Sequence, residues 1–333
     1  MAQVAAGTTV GAGGVPGEGA QREVEGRSLA QVFWRRFRRD RFAIAGVTFI
    51  VLLILIAVFA GLFVTFLTHH PPDAQYLDIG TTSSGIPLGA SSTFWFGHDQ
   101  LGRDLFVRVL YGSRTSLLVA FVATGISVAI GIILGVVAGF YRGWVDVMIS
   151  RAIDVMLSLP LLLLAIGLSA VCGASAKGCA IGPRPIQLHI QPGLPLVIGI
   201  IAFANWPYIA RLIRGQVLSL REKEFVEAAY ASGATNGRIM LREILPNIAM
   251  PIIVYSSLII PGNILFEAAL SYLGVGVQPT TPSWGAMISD ATGLYQYAPW
   301  MMIYPGLFLF LTTLAFNLVG DGLRDALDPR TGR

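Results

Sequence analysis

The chain has 333 residues, of which 54% are hydrophobic and 13% charged. A soluble domain carries roughly 25% charged residues, so lipid is the natural contact for the excess apolar surface. The net charge of +4 does not point to nucleic acid, because the basic residues flank apolar runs instead of forming one face with interleaved aromatics.

Residues 1–30 are rich in Gly and Ala and have no apolar periodicity, which predicts a disordered tail. Residues 31–68 join a basic cluster (Arg35, Arg36, Arg38, Arg39, Arg41) to the uncharged run Phe42–Leu67. That run is long enough to cross a bilayer with some tilt and too long for a signal-peptide core. Residues 69–114 form an outer loop. In it Asp99, Arg103, Asp104 and Arg108 stand at i, i+4 spacings, which predicts paired charges on an interfacial helix.

Residues 115–320 carry five further predicted spans. The run Thr115–Tyr141 contains Gly131, Gly135 and Gly139, two overlapping small-xxx-small steps that permit close helix contact. A span over Ile153–Val171 holds Pro160, which predicts a kink. The next two cover Leu194–Ala210, and Ile248–Phe266 with Pro251 and Pro261; the last covers Ala298–Gly320. Residues 321–333 form a tail. Glu267, at the outer end of its span, is either a functional group at depth or a paired glutamate at headgroup level. Cys172 and Cys179 share one short outer loop, either as a local disulfide in an oxidising compartment or as two unpaired thiols.

Six spans put both termini on one side. Eighteen of the 23 basic residues fall in the segments that are inside when the N-terminus is inside, so both termini are expected in the cytoplasm.

The loop at 215–247 is the most informative stretch. Ser219 and Glu222 make an S-x-x-E capping box that predicts a helix start. Helix formers continue to Ser232, and Gly233 suits a left-handed closure. A second short helix is predicted over Thr235–Leu245, broken by Pro246. The expected product is a helix–turn–helix on the membrane surface, with Phe225, Val226, Ala228 and Ala229 suited to a partner groove.

Within this loop Glu227-Ala228-Ala229, then Gly233, then Leu245-Pro246 resemble the EAA motif of ABC importer permeases. Glu243 stands where the family usually has isoleucine, and Ile244 follows it, a variant associated with the peptide branch. Three more segments resemble the peptide and nickel branch: Phe96-Gly-His-Asp-Gln-Leu-Gly-Arg-Asp104, Ala269-Leu-Ser-Tyr-Leu-Gly274 with Pro282-Ser-Trp-Gly285, and Phe316-Asn-Leu-Val-Gly-Asp321. His98 replaces that branch's usual threonine.

The resemblance implies an all-α polytopic membrane protein with the type I ABC importer permease fold, the C-type subunit of a dipeptide or oligopeptide importer. Nickel or another small solute is the alternative substrate. It further implies a homologous second permease, one or two ATPase subunits that bind ATP and Mg, an extracytoplasmic binding protein and a bacterial inner-membrane location. Phe225, Glu227, Ala228, Ala229, Gly233, Leu245 and Pro246 then form the ATPase-coupling loop. Glu267, Asp99 and Arg103 are candidates for pathway or binding-protein contact.

No G-x-x-x-x-G-K-[ST], G-x-S-x-G or H-E-x-x-H occurs, so the chain is not expected to be an enzyme or to hold a nucleotide, cofactor or metal. A self-sufficient secondary transporter or channel is the competing class. The long loop and the scarcity of mid-span carboxylates count against it.

Overall fold

The computed structural model describes residues 29–173, 179–181, 188–191, 193–277 and 281–327. The expected N-terminal tail to residue 28, the side chain of Cys179 and the end of the C-terminal tail lie outside the described residues.

The chain enters through α1 (Leu29–Phe37) and turns at Asp40 into α2 (Arg41–Phe63). Asp40 starts α2 because its carboxyl group accepts from Phe42 N at 2.9 Å and Ala43 N at 3.1 Å, satisfying two of the donors a helix start leaves open. A π-turn (Val64–Thr68) ends the span at His69, whose φ of 58° leaves the helical region.

The loop that follows holds only the short α3 (Leu77–Gly80) before α4 (Leu105–Tyr141). The expected interfacial helix is therefore absent. Asp99 sits in a turn, and Asp104 caps α4 by accepting from Phe106 N at 2.9 Å. Arg108 falls inside α4, which starts ten residues before the uncharged run.

After Arg142 and Gly143, both at positive φ (55° and 59°), the chain reverses into α5 (Gly143–Ser158) and α6 (Leu161–Gly173). These two meet at 86°. Pro160 lies in the gap between them, so the expected kinked single helix is a broken span. A proline removes one N–H and clashes with the preceding turn, and the residue before it, Leu159, is extended (ψ 131°).

A hairpin of β1 (Cys179–Ile181) and β2 (Leu188–Ile190) precedes α7 (Leu194–Leu220). Then come α8 (Glu224–Ala231), α9 (Asn236–Arg238), a π-segment (Ile239–Ile244) and α10 (Leu245–Tyr272). The chain ends in α11 (Trp284–Ala291) and α12 (Trp300–Leu327). Among the described residues five helices are long and apolar enough to cross a membrane, and six spans result when α5 and α6 count as one broken crossing.

The tightest helix pair is α4 with α7. A Cβ at Gly131 would lie 2.6 Å from the Ile209 Cβ, one at Gly135 2.7 Å from the Ala210 carbonyl oxygen, and one at Gly139 2.9 Å from the Arg214 carbonyl oxygen. The partners advance together along both helices, so α4 and α7 run parallel with their backbones in contact. The small-xxx-small stripe is the cause: association in lipid rests on close packing, which only small residues allow here. At one end of the molecule Phe37 of α1 packs with Ala43 and with Ala326 of α12, bringing the first and last described helices together.

Candidate functional site

The loop after α7 is built differently from its sequence signature. Helix α7 continues through Ser219, so the S-x-x-E box is not used. The apolar residues of α7 favour one more turn, and α8 begins at Glu224 with Lys223 as an extended cap that makes no side-chain bond. Glu222 pairs instead with Arg142, tying the end of α4 to the start of the loop. The Arg142 guanidinium holds the exposed Glu222 carboxyl below its usual range.

Helix α8 ends as Gly233 allows. Ala234 N donates to Ala229 O at 3.0 Å, and Gly233 N donates to Tyr230 O at 2.9 Å, with Gly233 at φ 77°. These are the two bonds of a Schellman closure, which needs a left-handed residue at this position. Pro246 does not break the next helix. It sits in the first turn of α10, where its missing N–H is not required, and the π-segment before it absorbs the register.

One face of α8 is anchored. Val226 is fully buried with Val217, Ile239, Ile244 and Ile248, and Tyr230 stacks on Phe140 of α4. The other face is open: Phe225, Glu227 and Ala228 are exposed, Ala229 is half-buried, and Gly233 and Pro246 are exposed with Leu245 half-buried beside them. Among the described residues Glu227 has no ion pair. Two bridges fix α5 to α7, Arg214 to Asp146 at 2.5 Å and Arg211 to Asp154 at 2.5 Å.

Glu267 is not at the protein surface. Helix α10 runs on to Tyr272, and Glu267 is fully buried, accepting from Ser116 Oγ of α4 and from Ser271 Oγ, each at 2.8 Å. Beside it Trp284 of α11 donates to Val109 O at 3.1 Å. Asp99 and Arg103 are likewise buried, paired at 2.6 Å, with the Arg108 Nε 3.4 Å from Asp99. Neither is free at the surface to meet another protein. His70, 2.8 Å from Asp104, completes this outer cluster. Cys172 is buried in α6 and bonded in a disulfide.

A polar seam that sequence reading missed crosses the helices. Asn205 of α7 donates to Asn263 of α10 at 2.9 Å, and Asn263 donates to Thr124 of α4 at 2.7 Å. Two asparagines in apolar runs were the available signal. Among the described residues no three His, Cys, Asp or Glu side chains converge on a metal site.

Residues 131–333 match the family described as the binding-protein-dependent transport system inner membrane component, and residues 28–81 match the N-terminal transmembrane domain of oligopeptide transport permease C. The chain is 41% identical over 297 residues to the dipeptide transport system permease protein DppC of Alkalihalophilus pseudofirmus, covering 89% of this chain and 88% of that protein. It is 43% identical over 299 residues to the glutathione transport system permease protein GsiD of Escherichia coli, covering 90% and 89%. A structure of the inward-facing MetNI methionine ABC transporter has the same fold at TM-score 0.54, with 18% identity over 67% of this chain and 97% of that chain.

Spans, broken crossing and protruding helical loop together define a multi-pass membrane subunit of an ATP-driven importer. The chain belongs to the binding-protein-dependent transport system inner membrane component family, within which it is similar to the C-type permeases of the peptide branch. It is a permease subunit; ATP is hydrolysed on separate chains, and a partner permease, ATPase subunits and a binding protein belong to such systems in general.

Proposed function

We propose that this chain forms one half of the membrane path of a peptide importer, paired with a homologous second permease, and that α8 is the element through which an ATPase subunit drives it. The observation that carries the reading is the asymmetry of α8. It is pinned on one side by Val226 and Tyr230 and closed by Gly233, while Phe225, Glu227 and Ala228 stand exposed, with no ion pair or ring contact among the described residues. A rigid helix with small residues on its open face suits insertion into a groove. Dipeptide and glutathione permeases among the relatives support a short peptide as substrate.

Both termini lie in the cytoplasm in this reading, supported by the distribution of basic residues. Labelling a cysteine placed at the exposed Gln296, between α11 and α12, only from the cytoplasmic side would overturn it. Cys172 near the end of α6 pairs with Cys179 of β1; alkylation of both thiols without reductant contradicts this pairing.

The test of coupling uses Gly233→Val and Glu227→Lys in the reconstituted complex. A β-branched residue at φ 77° carries a backbone strain of about 1–2 kcal/mol, and the lysine reverses the charge of the exposed face. Both variants are expected at normal abundance, with substrate-stimulated ATP hydrolysis and uptake falling together by about tenfold, equivalent to roughly 1.4 kcal/mol of lost coupling. Wild-type rates in both would make the loop a connector.

A further inference from the structure

A cleft of about 310 Å³ opens between α7, α10 and the start of α6, lined by Leu161, Asn205, Tyr208, Tyr255, Asn263 and Phe266 among others. Its polar groups lie deep in the membrane. At 1.5 Å per residue Asn205 is about 16 Å from the start of α7, and Tyr255 about 15 Å from the start of α10.

Three features set this cleft apart from a lipid-facing groove. The first is the polarity of its wall. Asn205 spends its amide N–H groups on Ile201 O at 3.0 Å and on Asn263 at 2.9 Å, yet among the described residues nothing donates to its side-chain oxygen. The hydroxyls of Tyr208 and Tyr255 likewise have no hydrogen-bond partner among the described residues. Polar groups at this depth are costly against hydrocarbon and face protein or a water-filled cavity. The second is the broken backbone. Leu159 and Pro160, between α5 and α6, are exposed in this chain, and Leu161 directly after them lines the cleft. Non-helical backbone at membrane depth is tolerated where it is buried in protein or lines a cavity. The third is the absence of acidic or basic side chains from the lining.

We infer that this cleft is the chain's contribution to the substrate path, and that Asn205, Tyr208 and Tyr255 recognise the passing substrate through its neutral amide groups. The Asn205 oxygen accepts an amide N–H, and the tyrosine hydroxyls donate to carbonyl oxygens. Such a wall reads the repeating backbone that every short peptide shares and leaves side-chain charge unread. The inference rests on the importer reading above and adds which residues meet the substrate and which of its groups they meet. Asn263 is a positioning residue: it is 2% exposed and holds Asn205 in orientation through its bond to Thr124.

The test uses the assembled transporter in liposomes, with ATP inside and trialanine or its variants with a central lysine or a central glutamate as probes. Asn205→Asp places a charge in a neutral wall. It is expected to change the lysine-to-glutamate uptake ratio by about fivefold or more in favour of lysine, because a charge pair at partial burial is worth more than the thermal energy. Tyr255→Phe is expected to lower uptake of all three probes alike while ATP hydrolysis continues. Asn205→Cys is expected to react with a small water-soluble thiol reagent, and trialanine to slow that reaction. An unchanged probe ratio in Asn205→Asp, or an Asn205→Cys thiol unreactive throughout turnover because a partner subunit or lipid covers it, overturns the inference. Failure of the wild-type complex to take up any probe with ATP is instead a failure of the peptide-importer reading.

Discussion

Ser116 on α4 donates its hydroxyl to Glu267 on α10 at 2.8 Å, joining two membrane helices 151 positions apart in the chain. Ser271 donates to the other carboxyl oxygen, also at 2.8 Å. The Ser283 side chain bonds the same carboxyl group. A buried acceptor shared by these serines fixes the relative position of its helices, and removing it takes a partner from each hydroxyl. Glu267→Gln keeps the volume and one acceptor, so it is expected to cost no more than about 1 kcal/mol. Glu267→Leu removes the acceptor and is expected to cost about 2 kcal/mol. Thermal unfolding of the detergent-solubilised complex distinguishes them; equal midpoints for the two variants would deny the bond any structural weight.

The glycine stripe makes a second prediction with its own control. At Gly135 a methyl group would meet the Ala210 carbonyl oxygen at 2.7 Å and the Ile213 Cβ at 2.8 Å, whereas at Gly125 it would meet nothing within 4 Å. Both positions lie in α4, so the gain in helix propensity from alanine is the same. Gly135→Ala is expected to destabilise by about 1–3 kcal/mol through forced separation of α4 and α7. Gly125→Ala should stay within about 0.5 kcal/mol. Loss of abundance in both variants would point to insertion and not to packing.

The loop between α2 and α4 carries a pH dependence. His98 is 2% exposed, packed on Phe94, with its Nδ1 3.4 Å from Leu88 O. Burial pushes the imidazole below its ordinary value of 6.5, although Asp104 and Asp99 pull the other way. The folded loop therefore favours neutral His98. Its contribution is complete above the unfolded value and is lost as pH falls below about 6.5, where the unfolded chain takes up the proton first. Lowering the pH from about 7.5 to about 5.5 is expected to lower the melting temperature, and His98→Gln to flatten that slope. Burial pushes the Asp290 carboxyl up, an effect of opposite sign. Asp290 is present in both proteins, so their difference reports the imidazole. Parallel slopes would remove His98 as the cause.

Much of the architecture was legible because hydrocarbon imposes a simple rule on span length. The run Phe42–Leu67 became α2 and its π-turn almost residue for residue, and the stripe Gly131, Gly135, Gly139 became the α4–α7 contact. What escaped was charge in unexpected burial. Arg108 made the start of α4 look like loop, yet it is 2% exposed beside Asp99, so the helix runs through it. Glu267 looked superficial because its hydroxyl partners come from Ser116, far away in sequence, and from Ser271, which lay beyond the expected end of its span. Ser219 and Glu222 fit a cap pattern that a longer α7 simply overran, and only the fold reveals that Glu222 belongs to Arg142. The seam through Thr124, Asn205 and Asn263 depends on three helices meeting, which no local pattern encodes.

The contacts of Gly131, Gly135 and Gly139 are one part of a longer seam on a rod about 55 Å long: Ser127 of α4 donates to Ala202 O of α7 at 3.2 Å, and Val119 and Ala123 share a buried cluster with Val197 and Ile201. Arg142, where the rod meets the loop through Glu222, is about 10 Å from Gly135, while Asp104 in the outer cluster is about 46 Å away on the other side. A seam of that length leaves no single pivot at Gly135, so α4 and α7 form one stiff unit. A load on the loop, entering through Glu222 and Arg142, therefore bears on α4 and α7 together.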